Sequence, residues 1–203
     1  MKNATSPTSH DNNDRIPPRA RILAAAGDLF YRHGIRAVGV DAIAEAAGTN
    51  KMTLYRHFTS KDELVAEYLR QSAREADRCW ECFEQAHPGQ PLAQVRAWLS
   101  EMADHLLDER GCPLANAAVE LPDKSHPARA VIEECKVAQR ARLTALCRNA
   151  GLGDPEMLAD ELNLLLEGAR VTSQSVGSEG LGARLMRMGE ALVAAHTTRQ
   201  PTA

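Results

Sequence analysis

Aromatic side chains are scarce: there are eight in 203 residues, and none lies beyond Trp98. The C-terminal half must therefore pack with aliphatic and small side chains alone. Strand signals are missing too, since there is no alternating apolar run and little clustering of β-branched residues. That excludes a β architecture. No apolar stretch approaches the ~18 residues of a membrane-spanning helix, and no membrane partner is expected. The opening residues MKNATSPTSHDNNDR are polar and carry no apolar core, so a secretory leader is not expected. Five cysteines, an odd number at irregular spacing, make a poor disulfide framework and suit a reducing cytoplasm. A glycine-rich phosphate loop, a nucleophile elbow and an obvious carboxylate pair are also absent. No enzyme activity or cofactor is read from this chain.

What remains is helical. Residues 1–14 read as a disordered polar tail, and an ordered arm is expected from Arg15. Ile22, Ala26, Leu29, Phe30 and His33 then form one face of a helix that Gly34 ends. A long helix follows Ser60, with Val65, Tyr68, Leu69, Ser72, Ala76, Cys79, Trp80 and Phe83 on one side. Proline, glycine and apolar spacing predict five more helices, over about 91–109, 113–121, 127–150, 155–176 and 180–197. Charge is divided unevenly along this series. Residues 15–61 hold eight bases and three acids, a net +5, whereas residues 62–203 carry −7. A basic head on an acidic body fits a protein that meets nucleic acid with one end.

The most informative stretch is VDAIAEAAGTNKMTLYRHFTSKDEL, Val40 to Leu64. Val40, Ile43, Ala44 and Ala47 fall at i, i+3, i+4 and i+7, one face of a short helix. Gly48 supplies the left-handed residue that closes such a helix. Asn50 can cap the next one, whose inner side holds Leu54 and Phe58. Its outer side carries Lys51, Met52, Thr53, Tyr55, Arg56 and His57, with no acid among them. This is a helix-turn-helix, with Lys51–His57 as the helix that enters the major groove. Ser60 and Glu63 then form a capping box for the long helix. Lys51 can donate to guanine, Thr53 can meet a base by hydroxyl or methyl, and Met52 offers an apolar contact. Arg19 and Arg21 sit in the first turn of a helix, where the dipole does not favour bases, so they fit DNA phosphate better.

These residues carry a family resemblance. RILAAAGDLFYRHG, IAEAAG, LYRHF and SKDEL, in this order from about Arg19 to Leu69, resemble the DNA-binding region of the TetR/AcrR family of bacterial transcriptional regulators. The resemblance implies an all-α fold. A helix-turn-helix head (15–61) would be joined by a long helix to an effector-binding and dimerisation body (62–203). It further implies a homodimeric, cytoplasmic repressor, released from a pseudo-palindromic double-stranded operator by an unknown small-molecule effector. Tyr55, His57 and Lys61 would be phosphate contacts, and Arg56 suits either phosphate or base. One departure stands out: Gly39 lies where many relatives carry Ser or Thr, so one phosphate-binding hydroxyl is missing.

For the body, the resemblance implies a pocket. Its expected lining is Trp80, Phe83, Trp98, Met102, His105, Leu106, Asn116, Glu120 and Gln174. Two apolar stripes stand out in the last helices. One is Leu158, Leu162, Leu165, Ala169 and Val176; the other is Leu181, Leu185, Met188, Leu192 and Ala195. By themselves they suit an internal core, while the resemblance implies a four-helix bundle shared by two subunits. Cys79-Trp80-Glu81-Cys82 is a C-x-x-C without a second ligand pair, so it reads as buried thiols rather than as metal ligands. A thiol switch using Cys79, Cys82 or Cys112 is the second reading. A helical small-molecule-binding protein or enzyme with a vestigial head is the third.

Overall fold

The computed structural model describes residues 16–107 and 110–197, and proline opens five of the nine α-helices within them. The tail expected over residues 1–14 lies outside the described residues, as does Arg15. The helices are α1 (Pro18–His33), α2 (Val40–Ala46), α3 (Lys51–His57), α4 (Lys61–Ala86), α5 (Pro91–Asp104), α6 (Pro113–Glu120), α7 (Pro127–Asn149), α8 (Pro155–Val176) and α9 (Leu181–Ala195). Proline stands in the first turn of α1, α5, α6, α7 and α8, where its missing N–H would have had no intrahelical partner. No strand occurs among the described residues, and no helix there is long and apolar enough to cross a membrane.

Local chemistry fixes the ends of the head helices. Asn50 accepts from Thr53 N at 2.9 Å and caps α3. Ser60 accepts from Glu63 N at 3.0 Å and caps α4. The other half of the expected capping box reaches one residue further back: Glu63 accepts from both the backbone and the hydroxyl of Thr59, each at 2.6 Å. α5 stops earlier than expected. It ends at Asp104 and tightens into a 3-10 turn, His105–Leu107.

Two apolar cores divide the molecule, and the division does not follow the expected boundary at residue 61. The first holds Ile22, Phe30, Ile43, Leu54 and Phe58 from the head together with Leu64 and Leu69 of α4. It continues into Leu114, Ala117 and Leu121, around α6, and into Val131 and Ile132 of α7. The second joins Phe83 of α4 to α5, the end of α7, α8 and α9. α4 and α7 therefore belong to both cores. At ~1.5 Å per residue the 26 residues of α4 span almost 40 Å. α9 lies so close to α5 that a Cβ at Gly189 would stand 2.7 Å from a Leu99 methyl.

Candidate nucleic-acid interface and body cavity

α3 presents the outer face that its sequence spacing predicts. Leu54 and Phe58 are fully buried, whereas Met52 is 78% exposed and Lys51, Tyr55 and Arg56 are also exposed. Thr53 and His57 are half-buried at the flanks. Lys51 pairs with Asp41 of α2 at 3.2 Å, and both side chains are exposed. Such a pair is worth at most ~1 kcal/mol, so Lys51 can leave it for a stronger acceptor. Gly39 occupies the N-cap of α2 with extended φ and ψ, and no side chain caps that helix.

Arg19 sits at the head's edge, with its guanidinium 5.0 Å above the Phe58 ring and 3.7 Å from Glu67 of α4. Glu67 also meets Arg70 and Arg74, at 3.4 and 3.1 Å. Burial opposes ionisation of Glu67, but the Arg74 hydrogen bond and the nearby arginine charges prevail and hold its carboxyl below the usual range. The Glu63 carboxylate also feels Arg19 and Arg70, so three guanidiniums and two carboxylates leave a patch of net +1. Arg70 and Arg74 belong to it, although the motif spacing does not mark them. Arg21 of α1 is half-buried.

Lys61 is oriented differently from the sequence reading. Its ammonium donates to Ile35 O at 2.6 Å and stands 6.0 Å from the Phe30 ring. Burial pushes its pKa down, against the raising effect of Asp62 and Glu120. The side chain thus ties the α1–α2 loop to the start of α4 rather than standing free for phosphate.

The body encloses a cavity of about 230 Å³. Trp80, Phe83, Trp98, Met102 and His105 line it, as the sequence suggests. The Trp80 and Trp98 rings lie within 20° of parallel with centroids 6.4 Å apart, and Phe83 meets Trp80 edge-on at 5.9 Å. The four other expected residues lie elsewhere. Leu106 is in the second core, 2% exposed. Asn116 and Gln174 both donate to Arg110 O, and Gln174 also donates to Asn116, so they fold the turn before α6. Glu120 is at the far end of α6, where its carboxylate accepts from Arg36 N at 3.2 Å. It packs against Gly34, whose φ of +83° and missing Cβ leave room for it: a Cβ there would lie 2.9 Å from the carboxylate.

α7 and α8 add polar lining outside the sequence-derived set: Gln139 of α7 and Asn163, Glu167 and Arg170 of α8, with Leu166 between them. The signal was present, since 163, 167 and 170 recur at i, i+4 and i+7 beside the apolar stripe. Glu167 Oε1 accepts from Lys136 Nζ at 2.6 Å and from Arg170 Nη1 at 2.9 Å. Burial opposes the charge on Glu167, but Arg170 and Lys136 hold its carboxyl below the ordinary range. The cavity floor is the start of α6, from Gly111 to Leu114.

Burial raises the thiol pKa of Cys79 and of Cys135, and pushes that of Cys147 up to about 11. Thiols shifted this way stay protonated and react slowly. No cluster of three or more metal-binding side chains occurs among the described residues.

The late apolar stripes need correction. Leu158, Leu162, Ala169, Leu181 and Leu185 are buried in the chain's own core, with Leu165 and Leu192 packed partly against it. α8 is apolar on both sides, and its buried stripe packs against α7, α9 and the 3-10 turn. Met157, Leu164 and Val171, spaced by seven, form the outward seam of α8. Val176 and Met188 are exposed, at 80% and 54%.

Comparisons with known proteins agree with this geometry. Residues 22–68 match the description "Bacterial regulatory proteins, tetR family", and residues 91–188 match "Tetracyclin repressor-like, C-terminal domain". The chain is similar to SCO4454, a TetR-family transcriptional regulator from Streptomyces coelicolor. The two are 30% identical with a TM-score of 0.83, over 89% of this chain and 96% of that one. It is 25% identical to the transcriptional repressor ComR of Escherichia coli over 181 residues, 81% of this chain and 83% of ComR. A further match, 41% identical over 66 residues, is to the transcriptional repressor KstR2 of Rhodococcus jostii; it spans 32% of each protein.

Proposed function

The chain belongs to the TetR family of bacterial transcriptional regulators, and on that premise we propose that it is a homodimeric repressor released from its operator by a small molecule. α3 of each subunit would enter one of two successive major grooves. Lys51, Met52 and Thr53 would face base edges, with Tyr55, Arg56, His57, Arg19 and Arg21 on or near phosphate. The outward seam of α8, with Met188 of α9, would form the subunit contact. The cavity would take the effector, and its occupation would shift the dimer between two head separations.

One observation carries this reading: α6 touches both the cavity and the head. Its first residues floor the cavity, and Glu120 at its last holds the backbone of the α1–α2 loop. The helix is eight residues long, ~12 Å, so displacement at one end reaches the other within a single rigid element. Of the cysteines in the redox alternative, Cys79 is held protonated by burial, whereas Cys82 is exposed.

The test is selection of bound DNA with the full chain, followed by footprinting. Two half-sites about one helical turn apart are expected, and Lys51→Ala should change base preference at one position per half-site, at a cost of ~1–3 kcal/mol. A footprint without sequence preference at every salt concentration would favour the vestigial-head reading and overturn this one.

A further inference from the structure

We infer that the cavity selects a compact aromatic anion, a single-ring carboxylate or phenolate, with its charge on Arg170 and its ring against Trp80, Phe83 and Trp98. This rests on reading the cavity as the effector site. At about 230 Å³ the space is smaller than the ~300–1,000 Å³ of drug-sized sites, so the ligand is small. The walls are chemically distinct. Three aromatic rings from α4 and α5 form one side and need a flat apolar partner. Gln139 and Arg170, from α7 and α8, stand among the polar groups of the other.

The sign of the ligand's charge follows from how these polar groups are already used. The Arg170 side chain is only 16% exposed. One terminal nitrogen bonds Glu167; among the described residues the other meets only the Met102 sulfur, at 3.8 Å. A thioether is a weak acceptor for a guanidinium, whose planar edge matches a carboxylate. The Glu167 carboxylate, in contrast, is shared by two cations, Lys136 and Arg170. A cationic ligand would have to compete with both, whereas an anion replaces a sulfur. Lys136 does not line the cavity but pairs with Glu167, so that Arg170 is the cation of the triad left towards the space. Glu75 also lines the cavity, but it is half exposed and accepts from Gln71, which places it towards solvent. Gln139 makes no hydrogen bond among the described residues and supplies a second, neutral donor.

The chain reports on its own cavity, because its two tryptophans both line it. Tryptophan emission of the full protein is titrated with benzoate and phenylpropionate, and with benzylamine and benzyl alcohol as cationic and neutral controls. The anions should give saturable changes at lower concentration than either control. Arg170→Gln should weaken benzoate by about 10- to 150-fold, the range for one charge-assisted hydrogen bond. Gln139→Leu, which breaks no bond within the protein, should weaken it about 2- to 10-fold, so the idea stays testable if the Arg170 variant does not fold. Tighter binding of benzylamine, an unchanged benzoate affinity in both variants, or no emission change with any compound overturns the assignment. A second arm keeps the effector reading separate. If benzoate binds through Arg170 yet leaves the operator complex intact, the ligand class stands and the effector reading fails.

Discussion

Gly39 leaves the first helix of the motif without a side-chain cap. It holds the N-cap of α2 in an extended conformation with φ −86°, which any residue adopts, and a Cβ built there meets nothing within 4 Å. Serine at this position can cap α2 and, by the family resemblance, offer a hydroxyl to phosphate. Gly39→Ser should raise stability by a few tenths of a kcal/mol and tighten operator binding about fivefold. The slope of affinity against salt should not change, because a hydroxyl releases no counterion. A steeper slope, or no gain in affinity, would dispose of the idea. Lys61 teaches the opposite lesson. Its charge and position read as a phosphate contact, but a single carbonyl, Ile35 O, engages it. No sequence spacing announces a partner 26 residues away.

At the scale of elements, α6 and α8 matter most. α6 is short and its residues divide between the cavity floor and the first core. Glu120→Ala removes the acceptor for Arg36 N and loosens the joint between α6 and the α1–α2 loop. Thermal stability should fall by ~1 kcal/mol. Cavity binding by tryptophan emission should be unchanged, while effector-driven release from DNA should weaken several-fold. Full release in the variant would show that the signal travels by another route. α8 carries three patterns on one helix: an apolar stripe to the core, a polar stripe to the cavity and an apolar seam to solvent. Periodicity reveals that all three exist. Only the packing of α7, α9 and the 3-10 turn against it assigns them.

For the whole molecule, that assignment makes the inner and outer stripes separable. Leu164 is 73% exposed and Leu162 is fully buried, though they are two residues apart. Leu164→Glu should lower dimerisation, visible as a smaller sedimentation coefficient at low concentration, with the monomer still folded. Leu162→Ala should instead cost ~2–5 kcal/mol of stability through the cavity it leaves. If Leu164→Glu sediments as the parent does, α8 is not the dimer surface. Charge belongs to this scale as well: the basic head and acidic body explain how a chain of net charge −3 can meet DNA at one end.

The helices, the helix-turn-helix and the family are legible in the order of the residues alone. Caps, prolines and apolar spacing act within a few residues, so Asn50, Ser60 and Gly48 mark their helix ends without reference to anything distant. The aromatic wall was legible for the same reason, since Trp80 and Phe83 lie on one helix stripe and Trp98 on the next helix. The tertiary structure alone decided where Lys61 and Glu120 point, which side of α8 meets solvent, and that Gln139 and Arg170 face the aromatic wall. Each of these depends on contacts between elements far apart in the chain. A helix with more than one usable face does not choose among them until its neighbours have packed.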